Sequence, residues 1–314
     1  MNPAVSVIMG VYKEPIKWLH QSVESILCQT FTDFEFIIII DNPNYVDGIS
    51  VLENYATRDK RIVLIKNDTN IGLTKSLNKG LRIAKGKYIA RMDADDISLP
   101  KRFQMQFDYL EEHPEIIVLG TNIMYIGNRV PFKGNDSIKF TDSSIKAQLL
   151  LVNCIAHSSV FIRKKVLTDN SIEYDEGYRQ SQDYRMWELL RSYGKFAVLP
   201  ARLLRYRVSE QQITKSQTHG QANLAGSVRF RLQKKWLIEN GVNFTDKELE
   251  ETPFRIIERL RHNRIINKSL EYKAFLQYAY LLSGDKNWTL RDLLLHDMKN
   301  MPLLSVIRLF IRNI

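Results

Sequence analysis

The stretch YIARMDADDISLP, residues 88–100, sets an apolar run directly against three carboxylates, Asp93, Asp95 and Asp96. Carboxylates this close raise one another's pKa and cost free energy unless a cation or an array of hydrogen-bond donors offsets them. Taken alone, the stretch has two readings. It is a solvated acidic turn before a helix with Pro100 near its first turn, or it is the end of a buried strand that carries an acidic site. The pattern on either side decides between them.

Upstream, the chain alternates. AVSVIMGVY (residues 4–12) is a short β-branched apolar run, as expected of a buried parallel strand. IKWLHQSVESILCQ follows with Trp18, Leu19, Val23, Ile26 and Leu27 at helical spacing. FEFIIIID (34–41) is a second strand, ISVLENYATRD a helix, RIVLIKN a third strand, LTKSLNKGLRIA a helix and KYIARMD a fourth strand. Such alternation predicts an open, mostly parallel sheet flanked by helices. Ligands of such sheets bind at the carboxyl ends of the strands. Asp41 and the acidic cluster both fall at strand ends, which favours one shared crevice over a solvated turn.

Downstream, the pattern predicts a helix over 102–112, a strand at EIIVLGTNIMYI, a polar loop at RVPFKGNDSIKFTDSS and a short helix at IKAQLLLVN. HSSVFIRKKVL reads as a strand running into a helix, QSQDYRMWELLRSYG as an amphipathic helix opening near Asp183, and FAVLPARLLRYRV as a final pair of strands. Composition shifts near residue 210, where the chain turns helical and basic. The reading is a domain over 1–215 followed by a basic helical region over 216–314. In LLSVIRLFIRNI (303–314), Ser305, Arg308 and Arg312 share a narrow face opposite a broad apolar one. Such a helix lies in a membrane interface or docks on the protein's own core.

The 314 residues, 44% hydrophobic and 25% charged, are the profile of a soluble globular chain with a sizeable core. A net charge of +10 points to a polyanion, an anionic membrane surface or phosphate-bearing substrates. Cys28 and Cys154 form no metal-ligand spacing and no disulfide framework, which fits a reducing compartment. No signal peptide and no apolar window of roughly 18 residues is read. The expectation is a cytoplasmic protein able to sit on the inner face of the membrane.

VSVIMGVYKE followed by SVESILCQTFTDFEFIIIID resembles the opening of family 2 glycosyltransferases, in which VSVIIPVYN precedes SILxQTxxxxE and a strand ending in Asp. NIGLTKSLNKGLRIAKGKYIARMDADD is similar to the family's next block, and QSQDYRMWELL to the later one, where an Asp precedes an aromatic residue and a tryptophan. The match runs in order over about the first 210 residues. It implies a GT-A fold, a nucleoside-diphosphate-sugar donor, with UDP the expected nucleotide, a Mg²⁺ or Mn²⁺ ion and inverting transfer to a hydroxyl. The basic charge and the terminal amphipathic helix fit a lipid-linked or surface glycan as the acceptor.

Carried over by position, the resemblance makes Asp95 a metal ligand, with Asp93 beside the ribose or at the metal through water, and Asp96 a cap of the following turn. Asp41 would accept a hydrogen bond from the base, Tyr12 would stack on it and Glu14 would touch ribose or base. Lys75 would reach a phosphate, and Asn78, on the same helix, would be a further donor-site residue. Tyr12 can equally pack at its strand end, and Lys75 can equally be solvated. Asp183 would be the base that deprotonates the acceptor, although an aspartate at that place also reads as an N-cap. Trp187 stacks on a sugar or fills core, and His157 is left unassigned.

The chain departs from the family at Gly10 and Lys13, where proline and asparagine are usual, at DNPNYVDG in place of DDGSxD, and at Ser209 in place of a histidine. No QxxRW is present, which argues against a processive synthase. Two other classes stay in play: a nucleotidyltransferase that forms nucleotide sugars, and a non-catalytic membrane-surface protein. No nucleic-acid motif accompanies the positive charge. No GxGxxG follows the first strand, as a nicotinamide enzyme would need.

Overall fold

The structure is a computed structural model that describes residues 2–127, 141–208, 218–251, 253–261 and 269–275. The chain divides into two compact units. One comprises the described parts of 1–132 and 155–221, the other those of 133–154 and 222–314.

In the first unit the chain runs β1 (Val5–Val11), α1 (Ile16–Leu27), β2 (Phe34–Ile40), α2 (Val46–Arg58), β3 (Ile62–Lys66), α3 (Leu73–Ile83), β4 (Tyr88–Asp93) and β5 (Ile97–Ser98). Helix α4 (Arg102–Glu112) and β6 (Ile116–Gly127) come next. After a 3-10 turn at His157–Ser159 follow β7 (Phe161–Arg163), a short helix (Lys164–Asp169), a helix over Gln182–Leu190 and β8 (Lys195–Val208). The sheet order is β3-β2-β1-β4-β7-β6-β8-β5. The strands β3, β2, β1 and β4 are mutually parallel. Beyond them the sheet is mixed, because β7 runs antiparallel to both β4 and β6. This is the open α/β sheet flanked by helices that the strand–helix alternation predicts, and it agrees with the GT-A fold that the resemblance implies.

Every residue of β2 is buried, as a strand covered on both faces requires. Polar residues of the opening motifs act as ties between elements. The Glu35 carboxylate accepts from Ser6 Oγ at 2.6 Å and from the Lys85 amide at 2.7 Å, joining β2, β1 and the turn before β4. Gln29, at the end of α1, accepts from the Phe103 amide at 3.0 Å and donates to Ser98 Oγ at 3.0 Å and the Leu99 carbonyl at 2.9 Å. That amide holds the segment just after the acidic turn. Gly86 is required for close approach, since a Cβ there would sit 2.5 Å from the Ser6 nitrogen.

FAVLPARLLRYRV forms one long strand, β8, instead of a pair. Pro200 falls where the β6–β8 register slips between Thr121↔Leu199 and Asn122↔Arg202, so its missing N–H breaks no regular ladder bond.

The second unit is helical in its described residues, with helices at Asp142–Gln148, Thr218–Glu239, Asp246–Glu251 and Pro253–Arg261. It takes in a segment from the middle of the chain as well as residues from 222 onward. Ala147, Leu151 and Ala274 share a small core, and Gln233 Nε2 donates to the Leu150 carbonyl at 2.7 Å. Thr245 and Glu248 form a capping box, each side chain accepting the other's amide, at 3.1 and 2.9 Å. No helix among the described residues is long and apolar enough to cross a membrane. The terminal amphipathic segment, 303–314, lies outside the described residues, as does Ser209.

Candidate active site

The acidic residues read from the sequence collect at the carboxyl edge of β1, β2 and β4. Asp41 follows β2 and is buried. Its Oδ1 accepts from Asn67 Nδ2 at 2.8 Å and the Ile71 amide at 2.9 Å, and its Oδ2 accepts from the Gly72 amide at 2.8 Å. Three donors on one carboxylate fasten the loop that enters α3. Gly72 there has φ +88°, a left-handed conformation that glycine takes without strain. Asp41 therefore organises the wall of the crevice whatever else it touches.

After β1, Tyr12 is 40% exposed, so its ring is open to a ligand. The Tyr12 amide donates to Glu14 Oε2 at 2.9 Å, and the Tyr45 hydroxyl donates to the Glu14 carbonyl. Burial raises the Glu14 pKa, with the Asp93 charge adding to it, against backbone amides that lower it. Lys75 is exposed on the first turn of α3. Asn78 faces the other way. It is 1% exposed, and its amide donates to the Tyr174 carbonyl and accepts from the Tyr174 nitrogen, both at 2.9 Å. In this position it fastens α3 to the segment around Tyr174.

The acidic turn rests on two buried guanidiniums. Arg91, whose side chain is 2% exposed, pairs with Asp93, whose other oxygen accepts from Ser158 Oγ. Burial alone would raise the Asp93 pKa, but the charge of Arg91, aided by its surroundings, holds it below the ordinary value. Arg102 donates to the Ser158 carbonyl at 2.6 Å and the Arg91 carbonyl at 3.0 Å, and burial pulls its pKa down to about 9. Asp96 is 1% exposed, and its Oδ1 accepts the Arg207 amide of β8 at 2.7 Å. The expected cap of the local turn is in fact a tie to a distant strand. Burial and the charges of Asp95 and Asp93 raise the Asp96 pKa well above the ordinary value.

Asp183 lies in the first turn of the helix Gln182–Leu190, with Ser181 at the N-cap place in a left-handed conformation, φ 56°. Asp183 Oδ1 accepts from the Tyr184 amide at 2.8 Å. Trp187 is fully buried, so it fills core. The link between Asp183 and the acidic turn is Tyr206 on β8. Burial raises its pKa, and the charges of Asp93, Asp96, Asp95 and Asp183 all add to the effect. Asp183 and the acidic turn, from distant parts of the chain, thus act electrostatically on one phenol. Sequence reading passed over Tyr206, Arg207, Arg91 and Ser158; the only signal was an aromatic flanked by cations at a strand end, in RYRV.

His157 lies beneath this cluster, its Nε2 2.8 Å from the Tyr174 hydroxyl and its ring edge-on to Trp187. Burial, with the charge of Arg91, pushes its pKa down to about 3. An unfolded chain protonates this ring below 6.5, whereas the folded protein waits until about 3. The stabilising contribution is therefore whole above pH 6.5 and is lost as the pH falls through that window. His157→Gln is expected to flatten the pH dependence of unfolding free energy in urea across this range. An unchanged slope would place the acid sensitivity elsewhere.

No three His, Cys, Asp or Glu side chains among the described residues are arranged to hold a metal ion. The donors present are nonetheless of the right kind. Asp93 and Asp95 offer hard oxygens, and one buried oxygen of the same turn, Asp96 Oδ2, has no hydrogen-bond partner among the described residues. Mg²⁺ needs only one or two carboxylates when substrate phosphates and water complete its shell. The residues fit a cation that arrives with a diphosphate.

Strands β3-β2-β1-β4 with acids at their carboxyl edge, extended by a mixed sheet, define a GT-A transferase domain. The chain belongs to glycosyl transferase family 2, whose family model matches residues 6–170. An uncharacterised glycosyltransferase of Methanocaldococcus jannaschii is 40% identical over 211 residues, 66% of this chain and 71% of that one. The amylovoran biosynthesis glycosyltransferase AmsE of Erwinia amylovora is 30% identical over 67% of this chain and 78% of its own. The fold matches the crystal structure of S. aureus TarS 1–349 in complex with UDP-GlcNAc with a TM-score of 0.60 at 16% identity, over 91% of this chain and 93% of that one.

Proposed function

We propose that this transferase moves a sugar, with inversion, from a UDP-sugar to a hydroxyl of a lipid-linked or surface glycan. The carrying observation is the acidic turn that closes β4 beside the carboxyl end of β1, where Gly10 pairs with Asp93 and the exposed Tyr12 follows. A displacement of this kind needs a leaving diphosphate on one side of the anomeric carbon and a base on the other. The acidic turn supplies the first side and Asp183 the second. The likeness to TarS, solved with UDP-GlcNAc, supports the choice of nucleotide, and the likeness to AmsE supports a polysaccharide acceptor.

In this reading Asp95 holds Mg²⁺ or Mn²⁺, with Asp93 nearby, and the ion neutralises charge that develops on the leaving diphosphate. Tyr12 offers its exposed face to the base, Glu14 and Asp41 border base and ribose, and Lys75 reaches toward phosphate. Asp183 takes the acceptor proton as the hydroxyl attacks. Residues 1–215, without the mid-chain insertion, form the catalytic domain. The basic region from 216 onward carries peripheral contact with the inner face of the cytoplasmic membrane, a role supported by the net charge of +10.

The test is UDP release from a panel of UDP-sugars with Mn²⁺ or Mg²⁺ present. Selective, metal-dependent turnover of one donor is expected. No binding of any nucleotide or nucleotide sugar would remove the donor site and return the membrane-surface reading.

A further inference from the structure

Arg207 occupies a position that the acid chemistry alone does not require. It is the next-to-last residue of β8 and is 9% exposed. Its backbone amide donates to Asp96 Oδ1 at 2.7 Å, and its side-chain Nε donates to the Asp95 carbonyl at 2.6 Å. Its Nη2 donates to Gln21 Oε1 at 2.9 Å, and its guanidinium lies 4.8 Å from the Trp18 ring centre. Gln21 and Trp18 both belong to α1. One side chain therefore bolts the peptide of Asp95 to a helix on the other side of the turn.

We propose that Arg207 is a positioning residue that fixes the direction of the Asp95 carboxylate by clamping the Asp95 peptide between β8 and α1. The assignment rests on the donor-site reading for its consequence, but the clamp itself is a property of the fold. Two effects of the side chain can be separated by sign. As a bare positive charge beside two carboxylates, it would oppose a second cation, and its removal would tighten metal binding. As a clamp, it narrows the orientations of Asp95, and its loss would weaken metal binding. The planar guanidinium serves the carbonyl, the Gln21 amide oxygen and the indole at once. A lysine ammonium keeps the charge but cannot serve all three.

The variants are Arg207→Lys, Arg207→Met and Gln21→Leu. All keep the residue 207 amide, so the bond to Asp96 and the β5–β8 pairing persist. Two measurements are made on the full chain. The first is hydrogen exchange without nucleotide. Peptides covering residues 93–98 are expected to exchange faster in both Arg207 variants, while β1 and β2 stay protected. Unchanged exchange at 93–98 would overturn the clamp.

The second is calorimetric titration with UDP plus Mn²⁺. Losing a charged hydrogen bond predicts affinity about ten-fold weaker in both Arg207 variants and a smaller loss in Gln21→Leu. Wild-type affinity in Arg207→Lys with tighter binding in Arg207→Met would make Arg207 a charge and not a clamp. If the wild type binds no UDP with Mn²⁺, the donor-site reading fails, and the exchange experiment still decides the clamp.

Discussion

Asp183→Asn is expected to slow sugar transfer by about 10²–10⁴-fold, the usual contribution of a positioned general base, while leaving affinity for UDP with Mn²⁺ unchanged. The substitution is a fair test because it keeps the bond at the helix start. Asp183 Oδ1 accepts the Tyr184 amide at 2.8 Å, and an asparagine oxygen can accept the same bond. The neighbouring cation is already engaged, since Arg185 pairs with Asp175 at 3.1 Å and Glu188 at 2.8 Å. What asparagine loses is the ability to take a proton. The loss should fall equally on kcat and kcat/KM, as it does for an interaction made only in the transition state. The wild-type product should carry the anomeric configuration opposite to the donor's by NMR. If Asp183 serves only the first turn of its helix, transfer in the variant would stay within a few-fold of wild type, and the base would have to be sought elsewhere around Tyr206.

The residues that sequence reading found and those it missed differ in one physical respect. Short buried apolar runs, helices with an amphipathic stripe and acids at strand ends are local patterns, so β1 to β4 and the positions of Asp41, Asp93 and Asp95 were legible, while Asp183 came through the family resemblance. Gln29 and Glu35 stood in the motifs, but their task as ties between elements appears only once partners some 30 to 70 positions away are in place. Asn78 shows the reverse. It sits on the helix that a family pattern points toward the donor, yet the helix face it occupies turns to Tyr174. Arg91, Arg102 and His157 were invisible as site residues because buried cations and imidazoles read as ordinary surface types in a linear chain. Only the folded sheet sets them under the acidic turn, where the two guanidiniums answer why three clustered carboxylates are tolerated even before any cation arrives. The joining of the described part of 133–154 to the later helices left no mark in composition.

Asp95→Ala is expected to abolish metal-dependent donor binding. Removing the ligand removes several kcal/mol of charge stabilisation, so transfer should fall by at least about a hundred-fold. The turn itself should survive, because Asp95 is bolted through its backbone carbonyl to Arg207, a bond that alanine keeps. Asp93 is held by Arg91 and Ser158, and Asp96 by the Arg207 amide, so neither can swing into the vacated place without giving up a buried partner. This commitment of its neighbours is what makes the loss at Asp95 large. EDTA on the wild type should reproduce the variant's affinity for UDP, and EDTA on the variant should add nothing, since the two perturbations remove the same interaction. Additive effects would mean that the cation is held by other groups. Equal UDP affinity with and without Mn²⁺ in both proteins would mean that exposed cations such as Lys75, and not a metal, answer the charge of the diphosphate.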